Sequence, residues 1–205
     1  MTHVEVLVEE LSAERALRHL IPLIVPSVSF DVRTFNGKPD LLRKLPGRLA
    51  GYSTWIRQAD TVVVVLTDQD DDDCIELKQG IEEEFARVGL VTLSQSQRGL
   101  DGCTRIAVEE LEAWFFGDVP ALISAFPGVS PSLAQRRGYR DPDAIAGGTA
   151  EALERVLDKA GYGSSLRKVA TAEAVAPFMD VEANRSRSFQ VFRDGIRRLT
   201  SLKES

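Results

Sequence analysis

The sequence predicts an α/β fold: a mostly parallel sheet flanked by helices over residues 1–118, with a helical C-terminal part over 119–205 packed on it, either as an extension or within one single domain. Three observations lead there. Thr61-Val-Val-Val-Val-Leu-Thr67 is a β-branched run that suits a central strand buried on both faces. Before residue 100, strand-like runs alternate with apolar residues at helical spacing, as in a sheet covered by helices. After residue 100 that alternation stops and helical patterns dominate.

Residues 4–8 form the first expected strand. Ser12 reads as an N-cap and 13–24 as a helix whose end Pro22 and Pro26 limit. In 28–35, Val28, Phe30 and Val32 alternate with Ser29 and Asp31, which predicts a second strand. Leu41, Leu42, Leu45, Leu49 and Tyr52 recur at helical spacing within 39–55. The central strand follows at 61–67. Residues 74–88 predict a helix with Ile75, Leu77, Ile81 and Phe85 inward, and 90–94 a short fourth strand. Further helices are expected at 108–116, with Leu111, Trp114 and Phe115 inward, at 120–126 and at 149–160. Residues 127–148 are rich in Gly, Pro and Arg and read as loop. Phe189, Phe192, Ile196 and Leu199 mark the apolar face of a last helix.

Hydrophobic residues make up 43% of the 205, enough for a real core. With 25 basic and 31 acidic residues the net charge is −6, which excludes whole-surface binding to nucleic acid and leaves room for local basic patches. Cys74 and Cys103 form neither a disulfide framework nor a metal motif and are expected to be reduced. The start Met1-Thr-His-Val-Glu5 has no basic region before an apolar run, and no apolar segment approaches the length of a membrane span. A cytoplasmic protein is the expectation.

The central run leads straight into Asp68-Gln-Asp-Asp-Asp-Asp73, five carboxylates in six positions at the carboxyl end of a strand. Ligands of open α/β sheets bind at that edge. Asp68 and Asp70 are two apart and share one face in extended backbone. Two carboxylates held together repel, and a hard divalent cation, Mg²⁺ or Mn²⁺, relieves the repulsion. The plainer reading, an acidic turn capping the next helix, suits Asp71, Asp72 and Asp73. Glu9 and Glu10 follow the first strand as Asp68 follows the central one. If those strands are neighbours, Glu9 comes close to Asp68 and Asp70. A further acid, Glu112, lies in Glu109-Glu-Leu-Glu-Ala-Trp114, where Glu109 and Glu112 share a helical face opposite Trp114 and Phe115.

A strand ending in Glu followed by one ending in D-x-D resembles the Toprim fold of topoisomerases, primases and overcoming-lysogenization-defect nucleases. Val8-Glu-Glu-Leu-Ser-Ala-Glu14, Leu66-Thr-Asp-Gln-Asp-Asp-Asp-Asp-Cys74, Glu110-Leu-Glu-Ala-Trp114 and Ser186-Arg-Ser-Phe189 together resemble the uncharacterised bacterial family DUF4276. The resemblance implies a Toprim-like sheet and a metal-dependent nuclease, or nuclease subunit, that cuts nucleic-acid phosphodiesters, with a role in phage defence beside an ATPase partner. It matches Glu9 to the Toprim glutamate, Asp68 and Asp70 to its D-x-D pair, and Glu112 to the family's E-x-W acid. Glu9, Asp68 and Asp70 are then the catalytic residues, and the same three with Glu112 the ligands for Mg²⁺ or Mn²⁺. Glu10 stands where Toprim proteins usually carry a glycine, whose place is to permit close backbone approach.

A nuclease also needs cations for the phosphate backbone. Residues 31–57 hold Arg33, Lys38, Arg43, Lys44, Arg48 and Arg57 against Asp31 and Asp40. Residues 183–205 hold Arg185, Arg187, Arg193, Arg197, Arg198 and Lys203 against Asp194 and Glu204. Arg185, Arg187, Arg193 and Arg197 are the expected nucleic-acid contacts, with a solvated helix face as the alternative. Ser186-Arg-Ser-Phe189 offers a helix cap or a phosphate site. Thr149 reads as an N-cap, and Gly147-Gly148-Thr149 lacks the pattern of a phosphate loop. His3 and His19 have no ligand-spaced partners in sequence. Two rival functions stay open: a non-catalytic module that keeps the fold and couples to an ATPase, and a phosphotransfer receiver or phosphatase. A receiver calls for a lysine at a later strand end, and none lies in 90–94.

Overall fold

The computed structural model describes residues 2–96, 100–165 and 167–202. Four parallel strands, β1 (His3–Val8), β2 (Ser29–Thr34), β3 (Thr61–Asp68) and β4 (Gly102–Ala107), form a sheet in the order β2-β1-β3-β4. Helices α1 (Leu11–Ile24), α2 (Lys38–Ser53) and α3 (Cys74–Arg87) make the crossovers. The chain first moves outward from β1 to β2 and then returns past β1 to β3. Because such crossovers are right-handed, this reversal sends α1 to one face of the sheet and α2 and α3 to the other. The side-chain partition agrees. Val62, Val64 and Leu66 of β3 pack with Ala16, Leu17 and Leu20 of α1, while Val63 and Val65 pack with Leu41, Leu45 and Leu49 of α2 and with Ile81 and Phe85 of α3. All eight residues of β3 are buried, as a central parallel strand requires.

The C-terminal helices close over the α1 face. These are α4 (Glu112–Phe116), α5 (Val119–Ala125), α6 (Thr149–Lys159), α7 (Lys168–Val175) and α8 (Arg187–Ser201). Trp114, Phe115, Phe116, Phe189, Phe192, Ile196 and Leu199 join the core of that face. Trp114 is fully buried, edge-on to Phe189 at 5.2 Å between ring centroids. Three short 3-10 turns occupy the expected loop at 127–148. Among the described residues, no helix is long and apolar enough to cross a membrane.

Several local expectations differ from what is observed. Residues 90–94 make only an isolated bridge, Thr92 to Gly102, and the fourth strand is Gly102–Ala107. Arg105 interrupts the apolar pattern there, and its position next to α8 explains why a charged residue is tolerated. The helix expected at 108–116 begins only at Glu112, because Glu109 adopts a left-handed φ of 61°. Ile75 is 76% exposed rather than inward. The first helix begins at Leu11, where Ser12 donates to the Glu10 carboxylate instead of capping. Gly148 is the N-cap of α6, and Thr149 is its first residue. Helix α7 was not anticipated. Lys203 and Glu204 lie outside the described residues.

Candidate functional site

The reversal point of the sheet lies between β1 and β3, which are neighbours in register from His3↔Thr61 to Val8↔Leu66. Glu9 and Asp68 leave these strands side by side. The Glu9 carboxylate accepts the Asp68 amide at 2.6 Å and the Thr67 hydroxyl at 3.3 Å. The Asp68 carboxylate is buried and accepts no hydrogen bond from the described residues. Glu112, at the start of α4 and 1% exposed, is near enough to act on Asp68, and its Oε2 is buried with no partner among the described residues. Trp114 fixes that helix: its indole N–H donates to Ser188 of α8 at 3.0 Å, and its carbonyl accepts from Asn184 at 2.8 Å. Asn184 presses against Gly117, where a Cβ would stand 2.0 Å from its Oδ1, so the turn after Phe116 admits only glycine.

The electrostatics follow from burial. It lifts the Asp68 carboxyl well above the ordinary range, and the neighbouring Glu9 and Glu112 add to the effect. Glu112 is pushed up to about 7 by burial, although Lys168 works against it. Burial also raises Glu9, despite the Asp68 amide. Lys168, the first residue of α7, donates to Glu110 at 2.9 Å; burial opposes its charge, but Glu112 and Glu110 outweigh this and raise it. Glu110 is the reverse case. It accepts from the Ala150 amide at 2.7 Å and from Lys168, and is lowered despite burial.

Asp70 departs from the simple D-x-D expectation. Its φ of 49° breaks the extended backbone, so Asp68 and Asp70 do not share one face. The Asp70 carboxylate is half-exposed and pairs with Lys38 at 2.8 Å; Lys38 also holds Asp72 at 2.6 Å and the Gln69 carbonyl at 2.9 Å. Asp73 caps α3 through the amides of Ile75 and Glu76, as the plainer reading of the acidic turn has it. Glu109, outside α4, does not share a helical face with Glu112. Among the described residues, the one group of three His, Cys, Asp or Glu with ligand atoms within 4.8 Å of one another is His3, Glu5 and Asp31. Glu9, Asp68, Asp70 and Glu112 form no such group; around the rim at the carboxyl ends of β1 and β3, Asp68 is coupled electrostatically to Glu9 and Glu112, and Asp70 to Glu9.

A divalent cation fits the chemistry of that rim. Glu9, Asp68 and Glu112 are buried acids of one sign, among the described residues the Glu112 Oε2 has no donor, and the cations that act on them, Lys168 on Asp68 and Glu112 and Lys38 on Glu9, are paired with other acids. In the sequence Lys38 is one of the basic residues of 31–57, and Lys168 could be a site cation that nothing local selects over Arg167. Lys38 could have been found by the rule that picked Glu9 and Asp68, since it closely follows the carboxyl end of β2. Lys168 lies far along the chain in an unanticipated helix, and nothing local marks it.

The expected nucleic-acid arginines are largely engaged. Arg185 donates to the carbonyls of Arg140 (3.1 Å) and Phe116 (3.2 Å). Arg193 donates to Val181 O at 2.9 Å and pairs with Asp194 at 2.8 Å. Arg197 donates to Ile24 O at 3.2 Å and pairs with Glu182. Arg187 is exposed and contacts Gln190 at 3.4 Å. Ser186 accepts from the Phe189 amide, the helix cap.

A family model described as a domain of unknown function, DUF4276, matches residues 3–197. The chain belongs to the DUF4276 family. No match was found among curated proteins or among solved structures. Within this DUF4276 chain, all four quoted motifs lie inside the matched region. Three of them bear on the acidic rim: the ends of β1 and β3, and the start of α4.

Proposed function

We propose that this DUF4276 chain is a Toprim-like, metal-dependent phosphodiester hydrolase acting on DNA or RNA, alone or as the nuclease subunit of a phage-defence assembly. One observation carries the reading: Glu9, Asp68 and Glu112, from three separate segments, are buried at the reversal point of the sheet, and the nearby Lys38 and Lys168 pair with other acids among the described residues. Glu9, Asp68 and Glu112, with Asp70 at the outer side, would hold Mg²⁺ or Mn²⁺, which when bound supplies Lewis-acid charge against a phosphoryl group. Lys168 and Lys38 present ammonium groups to phosphate oxygens at the same rim. Glu9, its proton affinity raised by burial, is the side chain suited to exchange a proton with the attacking water or the leaving oxygen.

The test is cleavage of end-labelled single- and double-stranded DNA and RNA by the full chain in Mg²⁺ or Mn²⁺, against Asp68→Asn. Cleavage that falls at least ~100-fold in the variant is expected. Undiminished cleavage by Asp68→Asn overturns the reading.

A second reading, a non-catalytic module coupled to a partner ATPase, is favoured by Asp70, which Lys38 already neutralises, and by the engaged Arg185, Arg193 and Arg197. Absence of cleavage, together with equal Mn²⁺ binding by the native chain and Asp68→Asn in calorimetry, would decide for it.

A further inference from the structure

The outer edge of β4 has unfinished backbone bonding. In a parallel ladder each residue turns its N–H and its C=O to the same side. Ala107 turns inward, where its carbonyl accepts the Gln69 amide at 2.8 Å; just before the strand, the Asp101 carbonyl likewise accepts Val63 at 2.9 Å, while its amide turns out to the Val91 carbonyl at 2.7 Å. Gly102 turns outward: it donates to the Val91 carbonyl at 3.3 Å and accepts from the Leu93 amide at 3.1 Å. Thr104 and Ile106 share the parity of Gly102 and face outward as well. Among the described residues the neighbouring chain makes one bridge to this edge, Thr92 to Gly102. The Thr104 carbonyl is taken by the Arg105 guanidinium at 2.8 Å. The Thr104 N–H and both backbone groups of Ile106 have no partner among the described residues. Thr104 is only 1% exposed, and its Oγ1 lacks a partner too. Buried, unpaired groups of this kind are costly, which makes them informative.

A cleft of about 380 Å³ opens on this edge between α3 and α8. Cys74, Ile106, Val108 and Val191 give it apolar walls, and Thr104 lies in it. Lys78, Arg105 and Arg187 stand around it and also line a second trough that continues along α8. Asp143, the acid in the first wall, is occupied: it accepts from Ser186, Ser188 and the first amides of α8. The rim is thus positive on a chain of net charge −6.

We infer that the β4 edge is a docking groove for an extended peptide segment of a partner protein, apolar at the residue that enters the cleft and acidic on either side. An extended backbone supplies the alternating donors and acceptors that a free strand edge lacks. The apolar walls select the entering side chain, and Lys78 and Arg187 select acidic flanks. A second copy of this chain is disfavoured, because edge-to-edge pairing sets Arg105 and Arg187 against their own counterparts. A nucleic-acid backbone is disfavoured because its phosphates bring only acceptors, while the Ile106 carbonyl requires a donor. The inference is independent of the chemistry at the acidic rim.

The test is amide hydrogen exchange of the full chain with synthetic peptides of roughly ten residues. They alternate glutamate and valine around a central leucine or phenylalanine; lysine-for-glutamate versions and an oligothymidylate serve as controls. The acidic peptides are expected to slow exchange at Thr104 and Ile106 by about tenfold or more, with affinity falling as salt rises and about tenfold in Arg187→Glu. Among the described residues the exposed Arg187 side chain hydrogen-bonds only to Gln190, so the variant should fold; Lys78→Glu serves in its place if it does not. Four results would overturn the inference: both amides already protected in the dilute free chain, protection that rises with chain concentration alone, protection by the oligothymidylate but not by peptide, or no protection by any acidic peptide.

Discussion

Glu5 lies within β1 and Glu9 just beyond its end; both are buried acids, yet they meet opposite surroundings. At Glu5, Arg33 approaches from β2 at 3.3 and 3.4 Å, and the Tyr52 hydroxyl donates at 3.1 Å. The tyrosine is correspondingly pushed up to about 12, by burial and by the Glu5 charge. At Glu9 the donors are neutral, an amide and a hydroxyl; Asp70 adds negative charge, and Lys38, already paired with Asp70 and Asp72, offsets only part of the effect of burial. The ligand atoms of His3, Glu5 and Asp31 stand closer together than those of the acids at the other end. Closeness is therefore a poor guide. Burial without a directly paired cation distinguishes a place poised for chemistry from one that holds the fold together.

The largest effect should come from Asp68. Asp68→Asn is expected to abolish cation-dependent cleavage while raising or leaving unchanged the melting temperature of the metal-free chain, since it removes a buried charge. Differential scanning calorimetry beside the cleavage assay checks both halves.

Glu112 gives a pH signature. Its pKa rises from the ordinary 4.5 to about 7 on folding, so the folded state binds the proton more tightly than the unfolded chain. Its contribution is then most favourable below about pH 4.5 and declines as pH rises toward 7, by about 3 kcal/mol without divalent cation. Urea titrations across this range should show a flatter profile for Glu112→Gln; an unchanged slope would remove Glu112 from the set of uncompensated acids.

At the compensated end the outcome should invert. Glu5→Ala leaves the Tyr52 hydroxyl without its acceptor and Arg33 with Asp31 alone, and should cost about 2 kcal/mol in urea unfolding, with cleavage per folded molecule unchanged. The smallest effect belongs to Arg197→Ala. Its guanidinium is held by Glu182 and the Ile24 carbonyl, so about 1 kcal/mol or less of stability should be lost. The salt dependence of nucleic-acid binding should stay the same, where removing a true phosphate contact would lower the slope by about one.

Much of the fold was legible because the relevant signals were local. The β-branched run 61–67 marked the central strand, and the alternation of elements marked a parallel sheet. The edge strand was not legible: Gly102-Cys-Thr-Arg-Ile-Ala107 carries an arginine whose partner, the Val191 carbonyl, is 86 positions away. The pairing of Glu9 with Asp68 could be anticipated, since strand ends in a parallel sheet share a rim. The turn at Asp70 could not, because its left-handed backbone depends on its amide bonding to the Glu109 carbonyl. Likewise, His3 seemed isolated in sequence, but β-pairing places Ser29 and Asp31 of β2 beside it.

The bond from the Trp114 indole to Ser188 carries a consequence for the far end of the chain. Through Trp114 and Asn184 the short helix bearing Glu112 is pinned to the beginning of the last helix, which itself is seated on β4. Deleting residues from 187 onward would remove the Ser188 half of this anchor together with Phe189, Phe192, Ile196 and Leu199, so a shortened chain should lose the setting of an interior acid along with the packing on one face of its sheet.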